Sequence, residues 1–301
     1  MSRRCTGLLN TCSFSTADFS RALVVKDSWQ FPEREEEGEL LREATEKGVV
    51  NVARYYHHMN VSVAGKDDDI QSNVRGDLDI TKATNYKSDQ STTIRRSSSA
   101  HSRKRPSSHT DAPLPPSKKR SCSTSPTKPW STPLPNRVHR RVILRDYGTA
   151  IYEASSRASL LAALERCIEG HESLRAKTGM LQRDISINNL MVNEDRDNPS
   201  WPSFLIDLDL AIKEQRKAVS GAKGKTDTRA FIAIGVLLGE QHSFMHNRES
   251  FFWVLFWICI HYDGPNQERV IRQFDKWNYI DIEELAKLKL GTVAKEAIFM
   301  K

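Results

Sequence analysis

The stretch "LQRDISINNLM" (181–191) decides the fold. An Arg183–Asp184 pair stands in it, Asn189 follows the aspartate by five positions, and apolar residues flank the group on both sides. An Arg-Asp pair alone is a common surface feature, so the stretch is compatible with an ordinary polar turn as well as with a loop that carries chemistry. The segments around it have to separate these two interpretations.

The neighbouring segments place this stretch between a helix and a hairpin. Upstream, residues 160–180 carry apolar side chains at a helical period. Downstream, the short apolar runs 190–192 and 203–206 are separated by a turn-rich segment and predict a β-hairpin. The apolar run 251–260 and the segment 281–291 predict two further helices. The quoted stretch is therefore a loop in a defined position, and Asp207 follows the predicted hairpin.

The N-terminal part predicts a small sheet with one helix. "RALVVKDSW" (21–29) predicts a strand whose apolar run ends at Lys26. Residues 32–48 predict a helix, because Pro32 and the following glutamates suit a helix N-terminus and Gly48 suits a helix end. Two more strands are expected, at residues 49–58 and in the segment 140–148, where the strand is followed by a turn.

Taken in order, these polar residues have the composition of a phosphoryl-transfer site. Asp184 could orient an attacking hydroxyl and accept its proton. Asn189 and Asp207 supply oxygen ligands of the kind that Mg²⁺ prefers, and Lys26 could neutralise the phosphates of ATP. The five-residue step from aspartate to asparagine is the spacing of the kinase catalytic loop, H-R-D-L-x-x-x-N. Lys26 alone would be read as a solvent-exposed charge, but the ordered set predicts a kinase-like fold.

The chain also resembles the fungal-type protein kinase family. The resemblance rests on "VVKDSW" (24–29), "EGELLREATEKGV" (37–49), "QRDISINNLM" (182–191), "FLIDLDLA" (204–211), "KTDTRAFIAIGVL" (225–237), "HNRESFFWVLFWICIHY" (246–262) and "WNYIDIEELAKLKLG" (277–291). It covers nearly everything except the N-terminus and a long insertion before the hinge strand. It implies an α+β, two-lobed protein kinase-like fold, with a small β-rich N-lobe and a mainly helical C-lobe.

The resemblance assigns a role to each candidate residue. Asp184 matches the catalytic base, and Arg183 matches an arginine that binds an activation-loop phosphate in regulated kinases. Asn189 and Asp207 match the Mg²⁺ ligands, and Lys26 matches the lysine that anchors the phosphates of ATP.

The partner of that lysine is less clearly marked in the sequence. Glu37 matches it by the spacing to the following leucines, and Glu36 and Glu39 remain alternatives. Thr226 and Thr228 lie in the segment that corresponds to the activation loop, as phosphorylation sites or as an exposed turn.

Several positions depart from the family pattern. Gln182 replaces a histidine, and Asp209 replaces the glycine of D-F-G, a change that the family tolerates. Gly235 stands where a glutamate normally pairs with a buried arginine, so we expect a looser activation segment or an unpaired buried partner. Asn247 replaces the aspartate that anchors the catalytic loop. Before Lys26 there is no glycine-rich loop, and few residues follow the last predicted helix, so a truncated gene product is a further hypothesis.

Composition divides the chain of 301 residues into three parts. Residues 91–141 hold twelve Lys/Arg against one acid, so they carry +11 and leave −4 for the rest of a chain with net charge +7. This proline- and serine-rich segment lacks apolar periodicity, and we predict disorder from 62 to 136. The predicted division is a partial N-lobe at 1–61, the insertion at 62–136, and the rest of the kinase unit at 137–301.

The insertion itself carries weaker signals. Its basic clusters at 103–105 and 118–120 are typical of a nuclear import signal, with a solvated basic linker as the alternative. Ser125 precedes a proline and is a candidate phosphorylation site.

Other functional classes have less support. The five cysteines show no zinc-ligand spacing, the N-terminus lacks a long apolar signal segment, and the run 251–260 is too short for a bilayer, so we expect an intracellular protein, nuclear or cytoplasmic, with no membrane partner. The expected activity is transfer of the ATP γ-phosphoryl group to Ser/Thr hydroxyls of protein substrates. The alternatives are a pseudokinase or truncated scaffold, a small-molecule phosphotransferase, and a basic nucleic-acid-binding protein, which has only the segment 91–141 in its favour.

Overall fold

A computed structural model describes residues 9–12, 22–76, 78–79, 135–214 and 229–295. The strands are β1 (Leu9–Cys12), β2 (Leu23–Gln30), β3 (Tyr55–Asn60), β4 (Ser62–Val63), β5 (Lys66–Asp67), β6 (Val138–Leu144), β7 (Thr149–Ala150), β8 (Met180–Leu181), β9 (Leu190–Val192), β10 (Ser203–Leu205) and β11 (Ile212–Lys213). The helices are α1 (Glu37–Glu46), α2 (Arg157–Thr178), α3 (Ile234–Leu237), α4 (Phe244–His261), α5 (Arg272–Asp275) and α6 (Ile282–Val293).

The small lobe consists of an antiparallel sheet and helix α1. Its strand order is β1-β2-β6-β3, and the register places Lys26 of β2 opposite Val142 of β6. Helix α1 covers the sheet with Leu40, Leu41 and Ala44, which are all at most 2% exposed. This packing brings the first turn of α1 next to the middle of β2.

The large lobe is mainly helical and is built around α2 and α4. Ser156 caps the N-terminus of α2 by accepting a bond from the Ser159 amide, and Gly179 ends the helix in the left-handed conformation at φ 69°. Helix α4 buries an aromatic cluster in which Trp253 and Phe256 contact Trp277. The α+β, two-lobed fold class predicted from the sequence is confirmed.

The region around the quoted stretch has the predicted order of elements. Helix α2 leads into β8, the quoted stretch follows, and β9 pairs with β10 in an antiparallel hairpin in which Leu190 lies opposite Leu205. All three residues of each of these two strands are buried. The predicted helices at 160–180, 251–260 and 281–291 correspond to α2, α4 and α6.

Three element boundaries differ from the sequence-based prediction. Strand β2 continues to Gln30, so Lys26 lies in the middle of the strand and not at its end. Helix α1 begins at Glu37 and not at Pro32, because Glu36 is extended (φ −69°, ψ 128°) and no side chain caps the helix. The predicted strand 49–58 begins only at Tyr55, since Val52 makes a single bridge to β10 instead of joining the sheet.

The predicted disordered insertion begins too early. Residues 62–76 form the β4–β5 hairpin and a π-helical turn at Ile70–Arg75. Main-chain bonds hold them to the start of β6, for example from the Ile70 amide to the Arg137 carbonyl at 2.9 Å, and His139 contacts Asp68. Such bonding needs no apolar periodicity, which is why the composition does not reveal it. Residues 80–134, with both basic clusters and Ser125, lie outside the described residues, as does the segment 215–228 with Thr226 and Thr228.

Candidate active site

Lys26 lies at the centre of a charge cluster between the two lobes, in which the Asp207 side chain stays 31% exposed. Its Nζ atom is 2.8 and 2.7 Å from the two carboxylate oxygens of Glu37 and 2.9 Å from Oδ1 of Asp207. The side chain of Glu37 is fully buried, and that of Lys26 is 12% exposed. Strand β2, helix α1 and the segment after β10 thus each contribute one charged group, and we call Lys26, Glu37 and Asp207 the Lys26 cluster.

The structure separates the three candidate glutamates. Glu37 faces Lys26, whereas Glu36 lies 3.0 Å from Arg140 and Glu39 lies 3.2 Å from His58. Of the alternatives that the sequence leaves open, only Glu37 forms the ion pair with Lys26. Its role in catalysis stays a prediction.

Two further groups fix the carboxylate of Glu37. The backbone amide of Leu208 donates to Oε1 at 3.1 Å, and the side-chain amide of Gln30 donates to Oε2 at 3.4 Å. Gln30 is 1% exposed and was not recognised from the sequence. The signal that could have found it is the alternation of a strand, which puts residues 26, 28 and 30 on one face of β2.

Electrostatics in the Lys26 cluster favour a protonated lysine between carboxylates. Burial lowers the pKa of Lys26, but the charges of Asp207 and Glu37 outweigh it and raise the pKa above its ordinary value. Burial works against ionisation of Asp207 as well, yet Lys26 holds the pKa of that carboxyl below its usual range. For Glu37, burial raises the pKa, and the charge of Lys26 opposes this shift. The cluster therefore depends on Lys26 remaining charged.

The predicted catalytic loop brings Asp184 and Asn189 together. The side-chain amide of Asn189 donates to the carbonyl oxygen of Asp184 at 2.9 Å and to its Oδ2 at 3.1 Å. Gln182 donates to the carbonyl oxygens of Ile206 at 2.7 Å and Asp207 at 3.3 Å. The glutamine at this position therefore links the loop to the segment that carries Asp207.

The backbone is in the left-handed region on both sides of this junction. Arg183 has φ 68° and Asp207 has φ 64°. Residues other than glycine rarely adopt this conformation. The few that do are concentrated at functional sites, where the surrounding structure holds them in place. Burial lowers the pKa of Arg183, and the nearby charge of Arg34 adds to this effect.

The donor set around Asp207 suits a divalent cation. Asp207 offers carboxylate oxygens, and Asn189, whose Nδ2 is bonded to Asp184, offers its carbonyl oxygen. Asp209, at the position of the D-F-G glycine, is half-buried, and its buried Oδ1 atom has no hydrogen-bond partner among the described residues. Burial and the charge of Asp207 raise the pKa of Asp209. Oxygen ligands of this kind fit Mg²⁺, although no group of three or more His, Cys, Asp or Glu residues in the described ranges forms a metal site by itself.

Asn247, which stands where the family pattern has an aspartate, bonds to two histidines inside the large lobe. Asn247 is fully buried on α4, accepts a hydrogen bond from Nε2 of His242 and donates to Nε2 of His171 at 2.7 Å. We call these three residues the Asn247 cluster. Burial lowers the pKa of both histidines to about 4, and neighbouring positive charges contribute. The amide thus joins two neutral imidazoles.

A lysine is buried next to the segment that precedes Gly235. Lys289 of α6 is fully buried, donates to the carbonyl oxygen of Ile232 at 2.6 Å, and lies 4.2 Å from the centre of the Trp253 ring. Burial lowers the pKa of Lys289 well below its usual value. Glu249 accepts a bond from the Ile234 amide at 2.8 Å and so holds the start of α3. Lys289 is therefore bonded to a backbone carbonyl, and the expected effect of Gly235 on the activation segment stays a prediction.

The region before β2 has no glycine-rich turn. Strand β1 pairs with β2 so that Leu9 lies opposite Lys26. The intervening residues 13–21, which lie outside the described part, contain no glycine in the sequence. A backbone cradle of the G-x-G-x-x-G type is thus not encoded between these two strands.

The family model described as fungal protein kinase matches residues 4–259. Among solved structures, the kinase PK-1 of the Cydia pomonella granulovirus is similar with a TM-score of 0.48 and 9% sequence identity, over 89% of this chain and 70% of that chain. A search of curated protein sequences returned no match. None of the described helices combines the length and the apolar character that crossing a membrane would require.

Proposed function

The chain belongs to the fungal protein kinase family, and on that premise we propose that it transfers the γ-phosphoryl group of ATP to Ser or Thr hydroxyls of protein substrates. The observation that carries the proposal is the position of Lys26, whose Nζ atom contacts Glu37 and Asp207 at the same time. A protonated lysine held at this junction is the arrangement that anchoring of ATP phosphates requires.

Each residue of the chain has a defined task in this proposal. Asp184 accepts a hydrogen bond from the substrate hydroxyl and receives its proton as the phosphoryl group is transferred. Lys26 neutralises phosphate charge while Glu37 keeps its ammonium group in place. Asn189 and Asp207 would hold Mg²⁺, with Asp209 as an additional carboxylate. The bound Mg²⁺ supplies positive charge that stabilises the phosphates during transfer.

The test compares the wild type with Asp184→Asn and with a control, Asp197→Asn, whose side chain is exposed on the β9–β10 connection. Transfer of labelled phosphate from Mg-ATP to the chain itself and to a generic basic protein is measured. We expect incorporation with the wild type and the control, and a loss of roughly 10²–10⁴-fold with Asp184→Asn, the usual contribution of general base catalysis. Equal background incorporation by all three folded proteins would refute the enzymatic function.

A pseudokinase is the second candidate, and the Asn247 cluster favours it. The amide of Asn247 is engaged by two histidines, whereas the family pattern has an aspartate that anchors the catalytic loop. A protein of this kind would bind partners through the kinase fold without efficient transfer. Binding of Mg-ATP by the wild type, measured by calorimetry, combined with background incorporation would support this candidate.

The insertion suggests a separate proposal for a partner. We propose that the basic clusters within 103–120 bind a nuclear import receptor. Replacing the three basic residues at 103–105 and the three at 118–120 by alanine should shift a fluorescent fusion from the nucleus to the cytoplasm. An unchanged distribution would reject the proposal without affecting the enzymatic one.

A further inference from the structure

The glutamate that pairs with Lys26 is the first residue of its helix. Glu37 begins α1, the preceding Glu36 is extended, and no side chain caps the helix N-terminus. Helix ends are the parts of a helix that open most readily. A functional ion pair at this position therefore needs support from outside the helix.

That support comes from the neighbouring strands. Arg140 of β6 donates through NH1 to Oε1 of Gln30 at 3.1 Å, and its NH2 lies 3.0 Å from Oε1 of Glu36. Gln30 in turn donates to the carboxylate of Glu37 at 3.4 Å and to Ser28 at 3.1 Å. Arg140 thus bonds directly to the residue before Glu37 and, through Gln30, to Glu37 itself.

The register of the sheet explains why this relay forms. Ser28 of β2 lies opposite Arg140 of β6, and Lys26, Ser28 and Gln30 alternate along β2. Their side chains therefore share one face, and the side chain of Arg140 lies on the same face. Gln30 is 1% exposed and Arg140 is 8% exposed. A buried amide and a buried guanidinium are retained at low cost only when they are hydrogen-bonded. Here the Gln30 amide and both terminal nitrogens of Arg140 have partners, whereas Nε of Arg140 has none among the described residues.

We propose that Gln30 and Arg140 are positioning residues for phosphoryl transfer, acting through Glu37 on Lys26. This inference rests on the proposed function for its kinetic consequence. Neither residue belongs to a sequence motif of the site, and neither contacts Lys26. Their effect is to keep the carboxylate of Glu37 in the bidentate geometry in which both its oxygens contact Nζ of Lys26.

The kinetic experiment is a double-mutant cycle of Gln30→Leu, Glu37→Gln and the double variant, with Gln71→Leu as a control at an exposed position of the same lobe. We expect Gln30→Leu to lower kcat/KM by roughly ten- to a hundredfold, the range for a lost hydrogen bond to a charged group. In the Glu37→Gln background the same change should have little further effect. A merely structural role of Gln30 would lower activity by the same factor in both backgrounds, and that result would overturn the proposal.

Arg140→Lys provides a second route if Gln30→Leu does not fold. Lysine keeps the positive charge beside Glu36 but lacks the planar fork that bridges Glu36 and Gln30. We expect a smaller loss of kcat/KM than with Gln30→Leu, again absent in the Glu37→Gln background. Full activity of Arg140→Lys would overturn the proposal.

A measurement independent of catalysis separates this inference from the proposed function. The Leu208 amide donates to Glu37, so displacement of the carboxylate should accelerate hydrogen exchange at Leu208. If the wild type transfers no phosphate, the proposed function fails, and the exchange rate alone decides the inference. Faster exchange at Leu208 in Gln30→Leu than in Gln71→Leu supports the relay, and equal rates overturn it.

Discussion

The Lys26 cluster between the two lobes and the Asn247 cluster of the large lobe hold polar side chains together in opposite ways. The first places one cation between two carboxylates, with all distances between 2.7 and 2.9 Å. The second joins two neutral histidines through a neutral amide. Removing one member of a charged cluster leaves a buried charge without its partner, whereas a neutral cluster loses only hydrogen bonds. The two regions should therefore respond very differently to substitution.

The largest expected effect breaks the charged cluster. Lys26→Met leaves Glu37 and Asp207 facing each other without a cation, and we expect a loss of about 3–5 kcal/mol in the free energy of unfolding, together with loss of phosphoryl transfer. Denaturant unfolding measures the first effect. The exposed Lys66→Met is the matched control, and a Lys26 variant as stable as this control would contradict the charge balance described above.

Two glycines provide the next comparison, Gly38 in the small lobe and Gly235 in the large lobe. A Cβ atom at Gly38, next to Glu37, would lie 2.4 Å from Cβ of His58, which cannot move without its strand. At Gly235 the contacts would be the ends of the His246 and Glu240 side chains, at 2.6 and 2.7 Å. We expect Gly38→Ala to cost roughly 1–3 kcal/mol and Gly235→Ala less than about 1 kcal/mol by thermal unfolding. A larger loss of stability with Gly235→Ala than with Gly38→Ala would show that the strand carrying His58 can be displaced from α1 at little cost.

Changing Asn247 to aspartate should make the large-lobe cluster resemble the charged one. In the wild type both histidines have folded-state pKa values of about 4, so the unfolded chain binds more protons between pH 6.5 and 4 and stability falls as the pH falls through this window. A carboxylate accepts from both rings and raises their pKa values. We therefore expect Asn247→Asp to flatten the pH dependence of unfolding by about 1–2 kcal/mol across that window. If the stabilities of Asn247→Asp and the wild type changed in parallel with pH, His171 and His242 could not be neutral in the folded wild type.

The smallest effect concerns Lys289, a buried lysine bonded to a carbonyl and not to a carboxylate. Burial lowers its pKa in the folded state, so between that value and the ordinary 10.5 the unfolded chain binds the extra proton. Stability should accordingly rise with pH in this window. We expect Lys289→Met to remove this rise and to change stability by only about 1 kcal/mol near neutral pH, with the exposed Lys287→Met as control. A lysine that stays charged when folded would give both variants the same pH dependence.

Some parts of the fold could be predicted because local signals and tertiary contacts agree. The β9–β10 hairpin, α2 and α4 combine apolar periodicity with burial. The start of α1 could not be predicted, because Pro32 and four acidic residues suit a helix N-terminus, while the structure holds Glu36 extended beside Arg140. The segment before β3 also differs, since its apolar residues pack against the large lobe and not in the sheet.

The candidate site could likewise be predicted from the sequence only in part. Asp184, Asn189, Asp207 and Lys26 follow from motif spacing, and the structure brings Asp184 to Asn189 and Asp207 to Lys26. The choice among three neighbouring glutamates depends on the direction of one helix turn, which the sequence leaves open. Strand alternation places Gln30 on the face of Lys26, whereas Arg140 follows from no local pattern because it meets Gln30 only across paired strands.

The connection between α1 and β3 is attached to the large lobe. The Ala53 amide donates to the Leu205 carbonyl at 2.9 Å, and the Leu205 amide donates to the Asn51 carbonyl at 3.0 Å. Gly170 of α2 lies so close to the Asn51 carbonyl that a Cβ atom would be 2.4 Å from it. The C-terminal end of α1 is thereby fastened, while its N-terminal end carries Glu37.

Because the C-terminal end of α1 is fastened, a tilt of the helix would turn it about that end. The ten residues of α1 span about 15 Å at ~1.5 Å per residue. A tilt of roughly 10° would therefore displace the N-terminal end, which carries Glu37, by ~2.6 Å. That displacement is comparable with the 2.8 Å contact between Lys26 and Glu37. A small tilt that leaves the C-terminal end of α1 in place is therefore enough to make or break the ion pair between Lys26 and Glu37.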